Sequence, residues 1–132
     1  MPRRPSLSKG EMEVARLLWE LGEASVRQVH EALPAERTIN FATVQTYLRR
    51  LDTKGYVRSW LDGRTKIYAP RVKSATVIRE TVGDLVDRLF AGQTVPLMRH
   101  LIEERGIGQD ELAELRQLLD RLQEERNESH RP

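Results

Sequence analysis

Residues 55–70, GYVRSWLDGRTKIYAP, alternate in character, turn at Asp62-Gly63, and carry three Arg or Lys among sixteen residues. The rest of the chain has helical periodicity, so any fold must set one short basic hairpin among helices. That requirement narrows the possible architectures more than any other feature of the sequence.

Three helix starts precede the hairpin, each with a local cause. Ser8-Lys9-Gly10-Glu11 has the form of a capping box, with Leu7 and Met12 placed as its hydrophobic staple. The helix it opens places Met12, Ala15, Leu18 and Trp19 at helical spacing and ends at Gly22. Ser25-Val26-Arg27-Gln28 is a second capping box, opening a short helix through Val29, Ala32 and Leu33 before Pro34. Asn40 is the expected N-cap of a third helix, which runs to about Thr53-Lys54 and stops at Gly55.

Beyond Ala75 the character changes. Val77, Ile78, Val82, Leu85, Leu89 and Phe90 form a broad apolar face on one helix, ended at Gly92. Leu97, Met98, Leu101 and Ile102 mark a second helix, and Gly106–Gly108 separates it from a third. In the last, Leu112, Leu115, Leu119 and Leu122 repeat in steps of three and four, the seam of a helix that packs along another helix. Arg126–Pro132 is polar and is expected to fray. The division expected is residues 1–73 as one domain and residues 74–132 as a three-helix dimerisation domain with a polar tail. Either piece is small for a self-sufficient core, which favours burial shared between two copies.

Charge follows the same division. Residues 1–73 carry a net charge of +6 and residues 74–132 carry −4, and within 37–73 nine Lys/Arg stand against two Asp/Glu. Such focusing suggests one half that binds a polyanion. The absence of cysteine removes disulfides, thiolate nucleophiles and Cys-based metal sites. No apolar run follows the basic Met1–Ser6 stretch, so neither a signal peptide nor a membrane span is read, and the default location is the cytoplasm.

On the third helix, Val44, Tyr47, Leu48 and Leu51 share the face expected to bury. Thr43, Gln45, Thr46, Arg49, Arg50 and Thr53 then lie outward, offering hydroxyls, an amide and guanidiniums able to read base edges and hold phosphates. The alternative for such a face is a merely solvated helix surface. The hairpin favours the first reading. A two-residue Asp62-Gly63 turn would pair Trp60 with Thr65 and Arg58 with Ile67, whereas a three-residue Leu61-Asp62-Gly63 loop, the preferred one, pairs Val57 with Ile67, Arg58 with Lys66 and Trp60 with Arg64. It gathers the basic residues on one face, where facing like charges call for an anion between them. Three helices followed by a two-stranded basic hairpin make a winged helix-turn-helix: mainly α with a small β hairpin. Base reading is assigned to Thr43, Gln45, Thr46 and Arg49, and backbone contact to Arg50, Lys54, Arg58, Arg64 and Lys66. Each phosphate contact adds about −0.9 to the salt slope of binding.

The segments LSKGEMEVARLLWE, ATVQTYLRRLDTKGYV, GRTKIYAP and LFAG…LIEERGIGQDELAELRQLL resemble the penicillinase-repressor family, which includes the methicillin-resistance repressors. The similarity covers roughly residues 7–123, and its most specific part is the T-V-x-T-x-L-x-R-L-x-x-K-G pattern of the third helix. It implies a homodimeric bacterial repressor whose winged helix binds an inverted-repeat operator in double-stranded DNA. Thr43 and Thr46 fall on the family's reading-helix threonines, Arg50 on its arginine, Lys54-Gly55 on its helix-ending pair, and Gly63-Arg64 on the wing tip. The helical C-terminal half is implied to make the dimer, through Val82, Leu85, Leu89, Leu97, Leu101, Leu112, Leu115, Leu119 and Leu122.

The chain also departs from the family. Gly108 replaces a frequent serine cap. Several members are relieved by cleavage of an Asn-Phe bond in the second C-terminal helix, implying a membrane-bound metalloprotease sensor as partner. Here that region reads LMRHLIEER, and the one Asn-Phe pair, Asn40-Phe41, begins the reading helix. Copper sensing through C-terminal cysteines, found in a related branch, is excluded because the chain has none.

Enzyme is the least supported class. There is no nucleophile elbow and no glycine-rich phosphate loop, and Glu103-Glu104 and Glu124-Glu125 read as solvated helix faces. His30, His100 and His130 are too scattered for a metal pair, so no cofactor is expected. Trp19, Tyr56, Trp60 and Tyr68 read as packing and wing aromatics rather than a stacking platform for single strands. The rival function is a winged helix used as a protein-interaction module without sequence-specific DNA binding.

Overall fold

A computed structural model describes residues 4–130. The elements run α1 (Lys9–Leu21), β1 (Ala24–Ser25), α2 (Val26–Ala32), α3 (Phe41–Thr53), β2 (Val57–Asp62), β3 (Thr65–Pro70), α4 (Ser74–Phe90), α5 (Thr94–Arg105) and α6 (Gln109–Ser129). Both capping boxes form. The Ser8 hydroxyl accepts from the Glu11 N–H at 3.2 Å while Glu11 Oε1 accepts from the Ser8 N–H at 2.8 Å. Ser25 and Gln28 make the same exchange at the start of α2. Asn40 caps α3, its Oδ1 accepting from the Thr43 N–H at 2.8 Å.

The hairpin forms, but in a different register from the one expected. Asp62 pairs with Thr65, Trp60 with Ile67 and Arg58 with Ala69, leaving Gly63-Arg64 as a two-residue turn in place of a Leu61-Asp62-Gly63 loop. Gly63 has φ +65° and Arg64 does not share the positive φ, the pattern of a type II′ turn with glycine at its first central position. This turn matches the strand twist, and it sets Arg58 against Ala69 and Lys66 against Leu61, so no like charges face each other. The basic residues are therefore divided. Val57, Ser59, Lys66 and Tyr68 share one face, and Arg58, Trp60 and Ile67 share the other. A third strand also joins: β1 pairs antiparallel with β3, Ala24 opposite Tyr68, giving the order β1-β3-β2.

Beneath the sheet lies one apolar core. Val14 and Leu18 of α1, Val29 of α2, and Val44, Leu48 and Leu51 of α3 are fully buried, and Tyr56, Val57 and Tyr68 close it from the hairpin side. Trp19 Nε1 donates to the Val72 carbonyl at 2.9 Å, tying α1 to the chain leaving β3. The compact N-terminal unit reaches Thr81, past Lys73, because Val77 in the second turn of α4 is only 3 % exposed and belongs to this core.

Gly10 is packed beneath a ring: a Cβ there would overlap the Tyr47 side chain, which itself rests against the core. Gly10→Ala is expected to destabilise the unit by about 1–3 kcal/mol through overpacking, as read by urea unfolding. An unchanged midpoint would show that Tyr47 swings aside without cost.

In the second unit, residues 82–132, none of the described residues belongs to a buried apolar core. No residue of α5 or α6 is buried, and Val82, Leu85, Leu89, Leu101, Leu112, Leu119 and Leu122 are exposed, Leu89 at 71 %. Leu97 and Leu115 are half-buried. Gly108 occupies the N-cap of α6 without a side-chain hydrogen bond. That helix runs through Ser129, past Arg126 where the polar tail begins, and the Ser129 hydroxyl donates to the Glu125 carbonyl in its last turn. Arg131-Pro132 lies outside the described residues.

Candidate nucleic-acid interface

The outward face of α3 follows from which of its residues the core takes. With Val44, Leu48 and Leu51 turned inward and Tyr47 half-buried, Gln45, Arg49 and Arg50 stand exposed, while Thr43 and Thr46 are partly so. The threonine hydroxyl protons are committed locally, Thr43 Oγ1 donating to Asn40 Oδ1 at 2.9 Å and Thr46 Oγ1 to the Ala42 carbonyl at 3.0 Å. Their oxygen lone pairs are left as acceptors, suited to an amino group on a base edge. Among the described residues, no hydrogen bond or ion pair engages the side chains of Gln45, Arg49, Arg50 or Arg64.

Several long-range contacts hold α3 in place. Lys54, at its C-terminal end, donates to Glu11 Oε1 at 2.7 Å and to the Ser6 carbonyl at 2.9 Å. Glu11 is 1 % exposed. Burial alone would raise its carboxyl pKa, but hydrogen bonds with Lys54 and Ser8, together with the Lys54 charge, outweigh burial and hold it below the ordinary value. Near the N-terminal end of α3, Arg37 forks onto Glu13 with two bonds of 2.8 Å, and His30 Nε2 donates to the Ile39 carbonyl at 2.9 Å. On the hairpin side, the Ser59 hydroxyl donates to Asp52 Oδ2 at 2.7 Å, fixing β2 against the last turn of α3.

That last bond identifies the sheet face turned toward α3 as the one bearing Ser59, and hence Lys66. Arg58 lies on the opposite face, its guanidinium 4.8 Å from the Trp60 ring centroid, while the Lys66 ammonium stands 5.7 Å from that of Tyr68. Arg64 is exposed at the turn. The structure thus puts Lys66 on the sheet face turned toward α3, Arg64 at the wing tip and Arg58 on the opposite face. Lys54 is also set apart, since its ammonium serves the buried Glu11. Neither the Glu11–Lys54 nor the Asp52–Ser59 link left a local sequence signal. Glu11 reads as a cap and Asp52 as an ordinary surface carboxylate until the chain is folded.

A family model described as penicillinase repressor matches residues 7–121. The penicillinase repressor of Bacillus licheniformis is 26% identical over 120 residues, covering 91% of this chain and 94% of that one. The methicillin resistance regulatory protein MecI of Mammaliicoccus sciuri is 25% identical over 115 residues, covering 87% and 94%. The transcriptional regulator BlaI of Mycobacterium tuberculosis is 36% identical over 118 residues, covering 86% and 84%. Among solved structures, the DNA-binding domain of the repressor BlaI aligns with a TM-score of 0.50 at 29% identity, over 57% of this chain and 92% of that domain.

Proposed function

Because the chain belongs to the penicillinase repressor family, we propose that it works as a homodimer on an inverted-repeat operator in double-stranded DNA. It is a DNA-binding repressor, and the family's activity is transcriptional control rather than catalysis. The observation that carries the operator reading is the outward face of α3, where Gln45, Arg49 and Arg50, without side-chain partners among the described residues, stand beside the acceptor oxygens of Thr43 and Thr46. Reading is assigned to Thr43, Gln45, Thr46 and Arg49. Phosphate contact is assigned to Arg50 on α3, Lys66 on the sheet face turned toward it and Arg64 at the wing tip, positions that suit a backbone flanking the groove that α3 enters.

The second copy is supported by the exposed leucines of residues 82–132: a unit with no internal core needs a partner surface of the same kind. The two half-sites then lie about one helical turn, or a multiple, apart. The working compartment is the cytoplasm, and no helix among the described residues is long and apolar enough to cross a membrane. A membrane-bound metalloprotease sensor would need a cut site other than an Asn-Phe bond in α5. The chain's one such pair forms the cap and first residue of α3.

Selection of bound duplexes from a random pool supplies the operator for the test. On it, Thr46→Ala is expected to cost about 1–3 kcal/mol and far less on random DNA. Arg64→Ala is expected to weaken both by a similar factor and flatten the salt slope by about 0.9. Equal losses on every sequence for both variants would undo the division into reader and wing. Failure to select any duplex would favour a protein-interaction module.

A further inference from the structure

Phe41 is the first residue of α3 and is 46 % exposed, outside the apolar core. Its ring meets that of His30, with centroids 6.0 Å apart and planes at 71°, and His30 is itself fixed by its bond to the Ile39 carbonyl. The ring is thus contacted by His30 while about half of the residue stays exposed. Helical spacing puts it on the same stripe as Gln45, one turn away, while the exposed Ala42 heads the stripe of Thr46 and Arg49. The reading face therefore begins with an apolar turn, continues with an amide and a hydroxyl, and ends with a guanidinium.

Within a major groove, the apolar group a base edge can offer is the 5-methyl of thymine. The surrounding charge fits duplex DNA as the occupant, since Arg49 and Arg50 flank this face without ion partners among the described residues. We propose that Phe41, backed by the Ala42 methyl, is a specificity-determining residue that packs on the methyl of one thymine in each half-site. That thymine neighbours the base read by Gln45. The assignment rests on the operator reading above and adds to it a base preference made by contact alone, without a hydrogen bond.

The test uses the full-length protein and the selected operator, replacing each thymine of one half-site in turn by deoxyuridine, which removes the methyl and keeps the pairing edge. At one position the unaltered protein should bind about fourfold more weakly, the value of one buried methyl-sized group. Phe41→Ala should bind thymine and deoxyuridine operators equally there, and Phe41→Leu, which keeps apolar bulk, should retain most of the preference. Thermal melts of both variants check that the fold is kept. A methyl effect that survives Phe41→Ala, or no methyl effect at any thymine, overturns the assignment while leaving the operator reading intact. If no duplex is selected, the operator reading fails first and the assignment falls with it.

Discussion

A chain ended after Thr81 is expected to be a folded monomer that binds the operator about 10²–10⁴-fold more weakly than the full-length protein. Two half-sites held by one dimer convert the second contact into an intramolecular one, and that gain disappears when residues 82–132 are removed. The cut is placed at Thr81 because Val77 is a core residue of the N-terminal unit; ending at Lys73 would expose that core and confuse folding with assembly. Sedimentation velocity reads the mass and a fluorescence titration reads the affinity. A dimeric truncated chain would refute the assignment of the C-terminal half.

Glu11→Ala is expected to cost about 3 kcal/mol, the low end for breaking a buried ion pair, because Lys54 remains about a quarter exposed and can reach water. Glu11 is the point where the capping box of α1, the Ser6 segment and the end of α3 meet, so its loss loosens the reading helix as well as α1. The carboxyl pKa is lower in the folded protein than in the unfolded chain. Its contribution is therefore present above the unfolded value, about pH 4.3, and lost as pH falls through the lower folded value. Glu13, held down by its hydrogen bonds from Arg37, adds to the same acid limb. Denaturant midpoints from pH 7 to pH 2 should show a steeper acid loss for the unaltered protein than for Glu11→Ala. Parallel curves would remove Glu11 from this role. Glu11→Gln should fall between the two at pH 7, since it keeps an acceptor for the Ser8 N–H but not the charge.

Much of the fold was legible because its signals are local. The caps at Ser8, Ser25 and Asn40 act over three residues, and the inward stripe of α3 repeats with the helix itself. The register of the hairpin was not legible in the same way. Its sequence admits more than one turn, and the choice depended on the positive φ at Gly63 and on β1 docking against β3, a contact made from more than forty residues away. The same reason explains why the pairing of Lys54 with Glu11, and the placement of Arg58 and Lys66 on opposite faces, appear only in the folded chain.

By itself, then, the sequence determined the order of helices and hairpin, the face α3 buries, the family and the concentration of charge around the wing. These are consequences of periodicity, caps and composition, which act over a few residues and survive in any order of assembly. Only the tertiary structure decided which positive charges remain available. It committed Lys54 to Glu11 and Arg37 to Glu13, turned Arg58 onto Trp60, and left Arg49, Arg50 and Arg64 without ion partners among the described residues. A buried carboxylate must be paired wherever the chain brings a cation, and a strand's faces are assigned only when its neighbours set the register.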